Sequence, residues 1–352
     1  MKINTPLLNR HFCAVVFSAF LFTGAAQAEK STLNLFIWSE YIDPQIVSAF
    51  EKQFDCKVNI DLYEDVDSML AKIQGGGAGL YDVVVPSDNL VPVMMKQNLL
   101  APLRHENIPN LKNLGEKFVS PAYDSKNRFT VAYQWGTVGL LARKTAGQPL
   151  PDSWACIFDP AKSAGSFMLI DSVRDQVGAA LKYQGHSVNS IIPSELKAAR
   201  DLCIAAKSRS VGFDGSVGVK NKILAKTAQV GIVYSGEGVR AMVDDTNTTY
   251  IIPKEGSVIW VDNLAVLAKA PHRDLAEKFL NFILDARIGA QLSAYTQFAT
   301  PNQAARAFIK PLDLENHAIY PLPEVTDRLE FLNDLGFKLR LYDEVWTQIK
   351  TR

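Results

Sequence analysis

Leu33-Asn-Leu-Phe-Ile-Trp-Ser-Glu-Tyr41 opens as a mostly apolar run, the length of a strand buried on both faces. It then breaks into Trp38-Ser39-Glu40-Tyr41, two aromatics bracketing a hydroxyl and a carboxylate. Asp43 and Pro44 stop the strand and start a helix, Asp43 as its cap and Pro44 in its first turn. Strand end, polar-aromatic loop and helix start predict the carboxyl edge of an α/β sheet, where such folds hold their ligands. Taken alone, the same aromatics would serve equally well to cover the sheet end.

Working outward, the N-terminus reads as a leader. Lys2, Arg10 and His11 precede an apolar run over residues 12–24, and Ala26-Gln27-Ala28 supplies a small-residue cleavage site. Residues 1–28 are therefore expected to be a secretory signal peptide, which predicts export to a periplasm. That segment carries two basic and no acidic residues, so the mature chain has 35 Lys and Arg against 37 Asp and Glu. Such a balance gives no support to nucleic-acid binding and no global field to steer a ligand, so charge selectivity must be local. Cys56, Cys156 and Cys203 remain, and an odd count leaves at least one thiol unbridged within the chain. Cys156–Cys203 is the preferred pairing, because both lie in the same half of the chain.

The following residues repeat the opening grammar. Residues 44–54 are helical by spacing, residues 58–62 alternate as a strand, and residues 68–74 are helical again. The glycine run at residues 75–79 lacks the phosphate-loop pattern and reads as a helix-to-strand turn, and no cofactor is expected. Tyr81-Asp82-Val-Val-Val-Pro-Ser87-Asp88 is a second buried strand with a polar end, Ser87 or Asp88 capping the next helix. This rhythm predicts a parallel sheet flanked by helices. Residues 129–133 and 138–142 are expected to be two strands, 167–170 and 230–234 two more, and 258–268 a segment returning to the first half. Helices are expected over residues 176–184 and 193–207, and the chain beyond residue 268 is largely helical, over 273–284, 285–296, 301–308 and near 342–350.

Strand ends carry the chemistry. They bear Trp38, Glu40 and Tyr41; Ser87 and Asp88; Asp171 and Asp175; Tyr234 and Glu237; and Trp260 and Asp262. Any one would pass as a capped turn, but strand ends of such a sheet converge on one crevice. Aromatic walls with carboxylates suit an elongated cation: ring faces cover methylenes and attract ammonium groups, and carboxylates accept charge-assisted hydrogen bonds.

Ile37-Trp-Ser-Glu-Tyr41, Asp82-Val-Val-Val-Pro-Ser87, Pro253-Lys-Glu-Gly256 with Trp260-Val-Asp262, and Ala299-Thr-Pro-Asn302 together resemble the periplasmic spermidine/putrescine-binding proteins. The likeness runs from about Leu33 to the C-terminus. It implies an α/β, two-lobed (type II) periplasmic binding fold, each lobe a sheet flanked by helices with the ligand cleft between. Lobe 1 would comprise residues 29–136 and 262–308, and lobe 2 residues 137–261 and 309–352. It further implies a monomer that hands a polyamine to ABC transporter permease subunits in the inner membrane. Carried over by position, it marks Trp38, Ser39, Glu40, Tyr41 and Ser87 on one lobe, and Asp175, Tyr234, Trp260 and Asp262 on the other, with Phe298 closing the pocket. The chain departs from the spermidine type at Asn89, Ser172, Tyr234, Phe298 and Leu332, whereas Glu237 matches the acid of putrescine-type receptors. Glu237 and Leu332 together favour putrescine over spermidine.

The main rival is an exported hydrolase. His105, His186, His272 and His317 are scattered without a metal-binding or triad spacing, and no G-x-S-x-G elbow is present. Within the binding class, another small amine, ferric iron held by Tyr and Asp, or a sensing receptor would share the same features.

Overall fold

Strand β1 (Ser31–Trp38) sends Leu33, Leu35 and Ile37 into one core and Phe36 into another, which is why it reads as continuously apolar. Helix α1 (Pro44–Phe54) starts where expected: the Asp43 carboxylate accepts the Gln45 N–H at 2.8 Å and Pro44 occupies the first turn. Strand β2 (Cys56–Tyr63) follows, then α2 (Val66–Gln74), β3 (Val83–Val84) and α3 (Val91–Lys96). β1 pairs in parallel with both β2 and β3, as the rhythm required.

The alternation expected over residues 58–62 is not seen in burial. β2 is an edge strand with one partner, and Ile60 and Leu62 are exposed while Val58 is buried. No side chain of Ser87 or Asp88 caps α3; the Asp88 carboxylate instead accepts the neighbouring Asn89 N–H.

The two strands expected over residues 129–142 are one, β4 (Thr130–Arg143), with an irregularity between Ala132 and Gln134. Beyond it come α4 (Ala155–Phe158), β5 (Phe167–Ile170), α5 (Val173–Tyr183), α6 (Pro193–Lys207), β6 (Gly212–Asp214) and α7 (Ser216–Leu224). β7 (Val230–Tyr234) leads directly into α8 (Ser235–Asp244), so Glu237 stands in the first turn of a helix. β8 (Thr248–Ile251), β9 (Ile259–Val266), α9 (Arg273–Ile283), α10 (Ala286–Thr296) and a last long helix over Arg340–Thr351 follow. Residues 301–308 contain only a short 3-10 turn, Ala304–Phe308.

The sheet order is β2-β1-β3-β9-β4-β7-β5-β6, with β8 also on β4. β4 and β9 run antiparallel at its middle and belong to both halves. On either side lies a doubly covered half-sheet. One packs Phe50, Phe279 and Leu280 on one face and Met69 and Met94 on the other. The second packs Trp154, Leu181 and Tyr342 opposite Val219, Ile223 and Tyr250. The computed structural model describes residues 1–2, 30–147 and 149–352, with Ser31–Arg352 one compact unit. The expected signal peptide lies outside the described residues. Among these, no helix is long and apolar enough to cross a membrane.

The expected Cys156–Cys203 bridge is absent. Both are buried free thiols, and the Cys203 Sγ lies 3.8 Å from the Gln176 amide. Burial pushes each thiol up to about 12, so neither supplies thiolate at neutral pH. A thiol reagent added to native protein is expected to leave both unmodified, and a reductant to leave the melting temperature unchanged. A reductant-induced drop in melting would show a bridge.

Candidate functional site

Local chemistry at the strand ends builds the site. After β1, Glu40 adopts a left-handed conformation (φ 52°), turning the chain so that Tyr41 is buried while the Glu40 carboxylate stays half exposed. Tyr41 donates to the Asp262 carboxylate at 2.8 Å, and Ser87, in the turn after β3, donates to its other oxygen at 2.6 Å. The Tyr41 carbonyl accepts the Tyr133 hydroxyl at 2.7 Å, which fixes the loop against β4.

A second clasp of the same kind forms around Asp175 in the first turn of α5. Tyr234, at the end of β7, donates to it at 2.9 Å, and Ser172 donates at 2.7 Å.

Rings connect the two clasps. Tyr41 meets Phe298 edge-on at 5.6 Å between centroids, Phe298 meets Trp260 at 5.0 Å, and Trp260 meets Tyr234 at 5.8 Å. Trp260 and Asp262, two apart on β9, thus join one aromatic cluster. Gly136 on β4 makes room for it, because a Cβ there would lie 2.6 Å from the Trp260 ring. The indole N–H groups of Trp38 and Trp260 have no acceptor among the described residues, which leaves them for water or a bound molecule.

The carboxylates are costly in this setting. Burial pushes Asp262 up to about 6, against the pull of the Ser87 and Tyr41 hydrogen bonds. Burial also holds Asp88 well above the usual carboxylate range, and the Asp262 charge adds to it. Asp175 is raised by burial too, opposed by Ser172, Tyr234 and the neighbouring Arg174 charge. Among the described residues, none of these three carboxylates is in an ion pair. Desolvated acids that face hydroxyls and rings have the chemistry to accept cationic charge.

Not every strand-end residue joins them. Asp171 points the other way and pairs with Lys350 of the C-terminal helix at 3.0 Å. Ser39 donates to Glu64 at 3.0 Å, and Trp38 packs on Tyr63 at 4.6 Å between centroids. Glu237 is buried in the first turn of α8, its oxygens held by Arg240 at 2.7 Å and Ser216 at 3.1 Å. Glu40 is held by Arg240 at 3.1 Å and Lys220 at 3.5 Å. Leu332 packs against the second core. The sequence reading missed Arg240, Lys220 and Ser216. The i, i+3 spacing of Glu237 and Arg240 was the one available signal, and Lys220 had none.

A sheet divided at β4 and β9, with buried carboxylates and rings gathered near its middle, is the arrangement of a two-lobed solute-binding protein, and comparison with known proteins agrees. The chain belongs to the bacterial extracellular solute-binding protein family, whose model matches residues 45–318. This is a family of solute carriers and not of enzymes. The chain is 33% identical to the putrescine/cadaverine-binding protein of Pseudomonas aeruginosa, over 95% of this chain and 98% of that one. It is 29% identical to the spermidine/putrescine-binding periplasmic protein of Escherichia coli, over 97% and 98% respectively. A solved Listeria monocytogenes structure, attributed to a spermidine/putrescine ABC transporter, superposes with TM-score 0.86 at 32% identity. It covers 92% of this chain and 99% of that one. The expected two-lobed periplasmic binding fold is thereby established.

Proposed function

We propose that this chain is the periplasmic substrate-binding component of a polyamine ABC import system. It holds putrescine or spermidine in the crevice between two lobes and delivers it, as a monomer, to permease subunits in the inner membrane. The observation that carries this reading is the pair of Tyr-clasped carboxylates, Asp262 and Asp175, joined by rings and lacking ion-pair partners among the described residues. Each carboxylate takes one ammonium, and Trp260 and Phe298 cover the methylenes between. The names of the relatives support the same ligand class. Lobe 1 is residues 29–136 with 262–308, and lobe 2 is residues 137–261 with 309–352. Pairing between β4 and β9 runs on across these limits, with Gly136 facing Trp260 and Trp135 facing Val261, so this strand pair would be the connection between the lobes.

A thermal-shift panel tests the ligand class. Putrescine or spermidine is expected to raise the melting point, whereas amino acids, sugars and ferric iron leave it unchanged. A hundredfold excess over the dissociation constant contributes about 2.7 kcal/mol. A panel in which only a sugar or ferric iron moves the midpoint would overturn the reading.

Binding is also expected to depend on pH in a defined direction. An ammonium requires Asp262 ionised, and its carboxyl is pushed up to about 6 in the free protein. Affinity should therefore be flat above pH 7 and fall below pH 6 by up to about tenfold per unit for one linked proton. Titration calorimetry between pH 5 and 8 checks this, and affinity that rises on acidification would contradict it.

A further inference from the structure

Glu40 and Glu237 are acids of the crevice that the proposed diamine contacts leave unused. Glu40 stands next to Tyr41, and Glu237 three residues beyond Tyr234, so each acid adjoins one of the two tyrosine clasps. They come from different parts of the sheet, the β1–α1 loop and the start of α8. One guanidinium spans them: the Arg240 Nη2 lies 3.1 Å from Glu40 and 2.7 Å from Glu237. Its Nη1 also donates to the Glu40 carbonyl at 3.4 Å. Lys220, itself buried, lies 3.5 Å from Glu40, and Ser216 takes the second Glu237 oxygen. Two acids and two bases leave this corner with no net charge.

We propose that Arg240 is a specificity-determining residue that restricts the crevice to diamines, because with Lys220 it occupies from within the acid pair that a third ammonium would need. The inference rests on the polyamine reading of the site. A diamine finds Asp262 and Asp175 without ion-pair partners, one for each end. A triamine carries one ammonium more. To bind, that group must expel a guanidinium tethered to the same helix as Glu237, and so present at high effective concentration. Failing that, it must lie desolvated beside two cations, and like charges brought together in this way are strongly disfavoured. Arginine suits the role better than lysine, because one arm of its planar fork contacts both carboxylates while the other holds the Glu40 carbonyl. The acid at position 237 is thus no recruiter of amines here; Arg240 has consumed it.

Calorimetric titration of the full chain with putrescine and with spermidine, at low salt, tests this. Wild type is expected to bind putrescine the tighter. Arg240→Met frees Glu237 and leaves Glu40 with Lys220 alone, and should shift the affinity ratio towards spermidine by at least about tenfold. Lys220→Met should shift it the same way by less. Glu40→Gln leaves the corner net positive and should shift it further towards putrescine. Glu40 is half exposed, so this variant and Lys220→Met keep the test decisive if Arg240→Met does not fold. Putrescine binding with a ratio that stays within about twofold of wild type in all folded variants would overturn the role of Arg240 and spare the polyamine reading. Wild-type protein that binds neither amine would overturn that reading and this inference with it.

Discussion

Asp262→Asn is expected to weaken diamine binding by roughly thirty- to several-thousand-fold while leaving the ligand-free protein at least as stable as wild type. The substitution keeps shape and keeps an acceptor for the Tyr41 hydroxyl, but removes the charge that faces a desolvated ammonium. Truncating one partner of such a buried charge pair typically costs about 2–5 kcal/mol in binding. The stability half follows from the carboxyl being raised from the usual 3.8 to about 6. An acid raised on folding favours the folded state when protonated, so its contribution is lost as pH climbs from about 4 through about 6. Above pH 7 the ionised group weakens the ligand-free fold by about 3 kcal/mol, an order of magnitude that the amide would largely restore. Melting curves of both proteins at pH 8, beside titrations, read the two effects separately. Near-normal affinity with a lowered melting point would show that Asp262 braces the Tyr41 and Ser87 loops and that the cation sits elsewhere.

Asp175→Asn is expected to separate diamines from monoamines. If Asp262 and Asp175 each take one end of the ligand, this variant should lose putrescine affinity by about thirtyfold or more, at the lower end of the range for a buried pair. The lower end applies because Arg174 already offsets part of the Asp175 charge. Butylamine, of the same length with one ammonium, should bind wild type and variant alike through Asp262. The two ligands share their methylenes, so a change in the aromatic wall would move both. Parallel losses for putrescine and butylamine would therefore contradict a two-ended site.

The chain was readable wherever burial on both faces left no polar interruption. β1, β5 and β7 are such strands, and their apolar runs mark them directly. β4 was divided in two by Gln134 and Gly136, because a strand shared by both halves carries the bulge and the close ring contact that single-lobe strands avoid. β2 misled for the opposite reason: at the sheet edge its alternation has no second layer to satisfy. α7 and α8 were missed because glycines, Gly218 in one and Gly236 and Gly238 in the other, dilute the helical pattern. Of the site, the acids and rings could be read, since strand ends converge by topology. Asp171 belongs to the same pattern yet turns towards Lys350, a partner 179 residues away that no local rule supplies. Arg240 and Lys220 escaped notice for the same reason, their meaning being set by which acids the fold brings within reach.

Native mass spectrometry of protein purified without denaturation, wild type beside Asp262→Asn, tests the central claim most directly. The account predicts a species heavier by the mass of one small linear amine, displaced by added putrescine and missing from Asp262→Asn. A bound sugar, amino acid or metal, or an amine retained undiminished by Asp262→Asn, would contradict it.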